Sequence, residues 1–328
     1  MRTKGGRRVL QMVLGSAEEL RVPNGTVLEA HPGRCAGWLR SLSRVALEEA
    51  LREAAWYRFE RKRISMMRTT SAHGEGEGLY QGLARALGYA GNEVPFLLLS
   101  QRVPLQDIRT RIHCAEACLF GVSGLMPHDL NEVSSDAREM VRRWWDVWWK
   151  ERGLTGRIQV ERSLWRIGQQ RPMNHPERRI GVFTVLVTKW KRLVELASEG
   201  KWKELRMLLL ELQHPFWMRH YTLRSREVRK PMRLLGRERV VQCLENVFFP
   251  AFGDWAALCE QRVLGMNRRY RIAMLRMLPQ RTDLKEVMRW SVCQQGLLEW
   301  YTAFCARDAS GCVECVFPEQ REEAILRL

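Results

Sequence analysis

From Trp38 onward the apolar residues fall at helical intervals. Leu39, Leu42, Val45, Ala46, Leu51, Ala54 and Ala55 recur three and four positions apart, with Glu and Arg between them, the stripe of an amphipathic helix. Ser71–Gly78 (SAHGEGEG) interrupts that stripe with three glycines. Leu79–Tyr89 predicts a second helix. Asn92 has the chemistry to cap a third, which tolerates Pro95 in its first turn and must stop before Pro104. Leu105–Phe120, Asp136–Arg152, Pro176–Ser198, Lys201–Leu212, Gly236–Leu264 and Asp283–Cys305 supply further helices. Strand-like runs are confined to the start of the chain. There, Arg8–Leu14 (RVLQMVL) and Gly25–Ala30 (GTVLEA) flank the turn signal Pro23-Asn24-Gly25. Two such strands cannot stand alone in water.

The pattern predicts a mainly α protein, a multi-helix globular array with a small N-terminal β element left over from a larger sheet region. No fixed period recurs, which argues against a solenoid. The expected division is a β-containing segment over 1–35 and a helical domain over 36–213. A basic aromatic loop follows over 214–235, then a C-terminal helical part over 236–328.

Charge changes the picture more than composition does. The 328 residues carry 54 Lys and Arg against 37 Asp and Glu, a formal net charge of +17. A field of that sign concentrates polyanions, nucleic acid first and anionic membrane surfaces second. The bland alternative is a solvated basic surface without a dedicated partner. The cations are mostly Arg spread along helices rather than one Lys-rich tail. Nine scattered cysteines do not form a secreted disulfide framework. The first 20 residues lack the apolar run of a signal peptide. No stretch reaches the roughly 18 apolar residues of a membrane span, so a reducing cytoplasm is the expected location.

Four stretches in order carry a resemblance. They are Gly78–Leu105 (GLYQGLARALGYAGNEVPFLLLSQRVPL), Leu119–Leu125 (LFGVSGL), Leu164–Ile180 (LWRIGQQRPMNHPERRI) and Cys293–Pro318 (CQQGLLEWYTAFCARDASGCVECVFP). With FWMRHYTL and LGRERVVQCLENVFFPAF between them, the chain after about residue 30 resembles the bacterial family catalogued as domain of unknown function 2851. The resemblance implies little about activity. It implies that relatives extend further at the N-terminus through an acidic, histidine-containing β-rich region, of which RVLQMVL looks like the last strand.

The strongest chemical signal is Cys305, Cys312 and Cys315, spaced C-x6-C-x2-C. Two thiolates two residues apart can reach one tetrahedral metal from a tight turn. These three are candidate ligands for a Zn²⁺ or iron–sulfur clip. The spacing resembles the first three ligands of the iron–sulfur loop of helix-hairpin-helix DNA glycosylases, but the fourth position is Arg321. Cys293 lies about 18 Å up the same expected helix from Cys305. Three thiols packing a C-terminal turn explain the same residues without metal.

Elsewhere the bland readings lead. Cys114 and Cys118 share an apolar helical face and read as buried small hydrophobes. His73, Glu75 and Glu77 read as a solvated linker. Trp144, Trp145, Trp148 and Trp149 read as a helix-packing seam before a base-stacking platform. The segment His214–Pro231 (HPFWMRHYTLRSREVRKP) interleaves aromatic and basic residues. It either grips a phosphate backbone or anchors the loop to the core.

The stretch RPMNHPERRI, Arg171–Ile180, starts a helix. Asn174 and Glu177 have the spacing of a capping box. Arg171, His175, Arg178 and Arg179 oppose the helix dipole there and call for an anion or a protein carboxylate. With Arg219 and His220 they are the candidate anion- or phosphate-binding residues. No Walker loop, dinucleotide glycine pattern, nucleophile elbow or H-E-x-x-H is found. The expected function is a basic helical module that associates with nucleic acid without catalysis. The alternatives are a catalytically incomplete or partner-dependent nuclease and a scaffold subunit that docks protein partners.

Overall fold

The structure is a computed structural model that describes residues 31–88, 91–150, 158–168, 171–263, 265, 267–306, 312, 315 and 317. The two expected strands lie outside the described residues. The helices are α1 (Ala36–Ser41), α2 (Arg44–His73), α3 (Glu77–Leu87), α4 (Glu93–Arg102), α5 (Leu105–Thr110), α6 (Ala115–Ser123), α7 (Ser135–Lys150), α8 (Pro176–Thr188), α9 (Trp190–Ser198) and α10 (Trp202–Leu210). They continue with α11 (Arg237–Cys243), α12 (Phe249–Phe252), α13 (Trp255–Glu260), α14 (Arg268–Met277) and α15 (Ser291–Trp300). The protein is mainly α. Among the described residues the extended pairing is an isolated bridge between Arg262 and Trp290. No helix among them is long and apolar enough to cross a membrane.

Local chemistry sets several boundaries. Ser43 Oγ accepts from Ala46 N at 3.1 Å and starts α2. Gly74, at φ 113°, ends it after 30 residues. Other expected helices are broken. Leu105–Phe120 divides at Arg111 into α5, a 3-10 turn over Ile112–Cys114, and α6. Pro176–Ser198 divides at Lys189. Gly236–Leu264 becomes α11, a π-turn over Leu244–Phe248, α12 and α13. Asp283–Cys305 is α-helical only from Ser291, after 3-10 turns at Thr282–Leu284 and Val287–Arg289, and closes in a second π-turn, Tyr301–Cys305. Helix α14 lies in a stretch for which the apolar pattern predicts no helix. Asn267 Oδ1 caps it by accepting from Tyr270 N at 2.8 Å, and Tyr270, Ala273 and Met277 form its buried stripe.

The apolar core forms two clusters. The larger runs from Phe59 to Leu258 and contains the aromatic faces of α6, α7 and the 214–235 loop. In it, Phe120 stacks between Trp144, at 4.3 Å, and Trp217, at 5.8 Å. Trp144 and Trp148 are buried while Trp149 is 69% exposed, so the tryptophan run is a packing seam. The smaller cluster joins residues 35–55 to residues 270–317. Helix α2 belongs to both. Its closest neighbour is α15, where a Cβ added to Gly296 would stand 1.9 Å from Leu51 O.

That approach admits no side chain. Gly296→Ala is expected to lower stability by about 1–3 kcal/mol or more through overpacking, read as a lower urea midpoint. Gly37→Ala in α1, where a Cβ meets nothing within 4 Å, is expected to leave the midpoint unchanged or raise it slightly.

Candidate functional site

The head of α8 is built differently from a capping box. Pro176 is the first helical residue, and a residue before proline is driven out of the α region. His175 accordingly stands at φ −56°, ψ 134° and is the N-cap, without a side-chain capping bond. Asn174 instead ends a 3-10 turn, Pro172–Asn174, and its Oδ1 accepts from Arg179 Nη2 at 2.6 Å. Glu177 is buried and turns to the loop, its Oε2 accepting from Leu223 N at 2.8 Å.

Arg178 and Arg179 point inward. Arg178 is 0% exposed and Arg179 5%. Arg178 donates to Arg233 O at 3.0 Å and Leu234 O at 3.4 Å, which clips the loop to α8. Nε of Arg178, and Nε and Nη1 of Arg179, are buried without an acceptor. Burial pulls the pKa of Arg178 down to about 10. Burial, then the neighbouring Arg239 and Arg178, pull that of Arg179 down to about 9. Both stay cationic at neutral pH. No carboxylate among the described residues pairs with either.

The remaining candidates separate. Arg171 is exposed on the turn before the helix. Arg219 Nη1 donates to Glu227 Oε1 at 2.9 Å. His220 is buried and stacks on Phe216 at 4.0 Å. Its Nδ1 faces Phe216 O and its Nε2 faces Asp136 Oδ2, both at 3.1 Å. Trp217 Nε1 donates to Glu116 Oε1 at 2.9 Å and Trp144 Nε1 to Oε2 at 3.3 Å. His214 Nδ1 accepts from Phe216 N and Trp217 N, each at 3.2 Å, which leaves its Nε2 to face Glu116 at 3.3 Å. These contacts fasten the aromatic part of the loop to the core.

Cys305, Cys312 and Cys315 line one pocket. None of the nine cysteines is in a disulfide. Among the described residues, no set of three or more His, Cys, Asp or Glu side chains is already arranged to hold a metal ion. Cys114 and Cys118 are buried, as their apolar neighbours lead one to expect.

A family model described as "Protein of unknown function (DUF2851)" matches residues 7–272. The chain belongs to this family. No curated protein matches it, and no solved structure does. In this DUF2851 member the match takes in the head of α8 and its loop and ends before α15.

Two features escaped the sequence pattern. Glu77, expected in a solvated linker, is 3% exposed, and its Oε1 accepts from Leu105 N at 2.5 Å, which caps α5. The other is a polar network beside the π-turns. Lys62 Nζ donates to Asn246 Oδ1 at 2.6 Å and Gln295 Oε1 at 3.2 Å. Glu245 accepts from Ser291 Oγ and from Gln295 Nε2. Arg58 and Arg61 reach Glu299 at 3.0 and 2.6 Å. Burial, ahead of all other causes, holds the Lys62 pKa well below and the Glu245 pKa above its ordinary value. Although π-turns often mark functional sites, these polar tips are spent on one another.

His175 supplies a pH signature. Burial first, then Arg224, depress its pKa from 6.5 to about 4. A histidine with a lowered folded pKa binds fewer protons folded than unfolded, so its contribution is lost as pH falls from 6.5 toward 4. His175→Gln is expected to flatten the fall in thermal midpoint across that window relative to the unsubstituted protein.

Proposed function

We propose that this chain binds phosphate-bearing ligands, nucleic acid first among them, and carries out no chemistry of its own. The observation that supports this is Arg179. Its guanidinium is buried at the start of a 13-residue helix with two nitrogens lacking an acceptor, and its charged neighbours are also cations. An unpaired buried charge costs several kcal/mol. A phosphate there would accept from the idle N–H groups and from the uncapped helix start, and would meet the favourable end of the helix dipole. The formal charge of +17 draws polyanions toward the whole chain.

Burial also selects the ligand. A phosphodiester inside a duplex cannot reach a guanidinium that is 5% exposed. A terminal phosphate projects from its carrier and can. The favoured ligand class is therefore a nucleic-acid end or a phosphomonoester.

The test is thermal unfolding of the full chain with inorganic phosphate, and with two oligonucleotides identical except for a 5′-phosphate. Phosphate and the phosphorylated strand are expected to raise the midpoint, by the equivalent of about 2.7 kcal/mol at a hundred times Kd. The unphosphorylated strand adds only the salt-sensitive part. Arg179→Met is expected to raise the midpoint in phosphate-free buffer, because it deletes an unpaired buried charge, and to abolish the phosphate increment. Equal responses to the two strands, or an increment that survives Arg179→Met, would overturn the reading.

A further inference from the structure

Cys305, Cys312 and Cys315 leave a tetrahedral site one ligand short. The missing thiol comes from the far end of the sequence. Cys35, immediately before α1, lines the same pocket as the other three, with Met277, Phe304 and Phe317 as its apolar wall.

The chain around Cys35 is fitted to this pocket. Gly33 N donates to Arg276 O at 2.7 Å. A Cβ placed on Gly33 would stand 3.2 Å from Cys312 Sγ and 3.5 Å from Cys35 Sγ, so the glycine keeps the space beside both sulfurs open. Arg34 Nη1 donates to Cys312 O at 3.2 Å, and Arg276 Nη2 donates to Cys312 Sγ at 3.3 Å. Phe317 closes the apolar side, 5.7 Å from Trp38 and 5.4 Å from Trp300. Residues 33–35 thus meet the C-terminal cysteines through backbone, guanidinium and sulfur contacts together.

A bound metal cation deprotonates the thiols that coordinate it.

We infer that Cys35, Cys305, Cys312 and Cys315 form a tetrathiolate site for a thiophilic metal centre, Zn²⁺ or an iron–sulfur cluster. For Zn²⁺ the reaction is four Cys–SH plus Zn²⁺ giving Zn(S–Cys)₄²⁻ and four protons. The sulfurs close on the metal as those protons leave, since they do not stand at coordination geometry beforehand. Tetrahedral Zn–S bonds are about 2.3 Å, and iron–sulfur clusters take the same four-cysteine set. The site rests on none of the groups at the head of α8.

The experiment is metal and acid-labile sulfide analysis of the full chain purified without oxygen. About one zinc per chain, or iron with matching sulfide and a visible charge-transfer band, is expected; chains without bound metal would overturn the proposal. Cys35→Ser is expected to lose most of the metal, whereas Cys259→Ser, outside the pocket, keeps it. Because Cys35→Ser can also fail to fold, cysteine alkylation of the unsubstituted protein gives an independent readout. Cys35 should be protected with the other three and become reactive in step with them when a chelator strips the metal. Cys35 that reacts at the same rate with and without chelator would exclude it as a ligand.

Discussion

The carboxylate of Glu299 receives guanidinium groups from Arg58 and Arg61 of α2, and the packing of the C-terminal helices depends on that contact. Ser291, Gln295 and Glu299 stand four residues apart and give α15 one polar face. Arg58, Lys62 and, from the first π-turn, Glu245 meet it, and Asn246 accepts from Lys62 behind them. Gly296 brings the two helix backbones into contact on the adjoining face. Water is excluded as the helices close, so every polar group in the seam has to find a protein partner. Removing one member of a buried charge pair typically costs about 3–5 kcal/mol; Arg61, nearly half exposed, counts for less. Such a seam fixes register more sharply than an apolar one, because a shift of one helical turn strands charges instead of exchanging methyl groups.

Much of the helical plan was legible from residues alone. Gly74 and Pro104 mark their boundaries by backbone chemistry that acts within a few residues, whereas the Ser43 cap falls inside the single stripe expected from Trp38 onward. The irregular 214–235 segment was legible from its lack of period. What could not be read is where a helix breaks without a breaker. Arg111 and Lys189 are ordinary helix residues, and only packing against distant elements interrupts the chain there. Helix α14 was readable in principle, from the Asn267 cap and the Tyr270, Ala273, Met277 stripe, but its run of arginines dilutes the apolar pattern. Asn174 shows the reverse error. It has capping chemistry, yet Pro176 two residues further on decides where the helix begins. Cys35 was invisible as a partner of Cys315 because a sequence pattern carries no information about contacts that far apart.

The two candidate sites are places where local rules of satisfaction fail. At the head of α8 there are donors without acceptors and cations without anions. Around Cys35 four thiols gather in one pocket. By contrast, the carboxylates of Glu77, Glu116 and Glu177 are consumed by backbone or indole N–H groups. Departures from internal consistency are where a folded chain has kept free energy in reserve for something outside itself.

The smaller apolar cluster has a temporal consequence. Its first half, Leu39 to Ala55, leaves the ribosome well before its second half, Tyr270 to Phe317, is made. At about 5–20 residues per second, roughly 200 intervening residues take on the order of ten seconds or more. Throughout that interval one side of the 30-residue α2 is apolar and uncovered while its other end can already pack against the growing larger cluster. The newborn chain therefore carries an adhesive helix through that interval, and this cluster closes only when the later segment arrives.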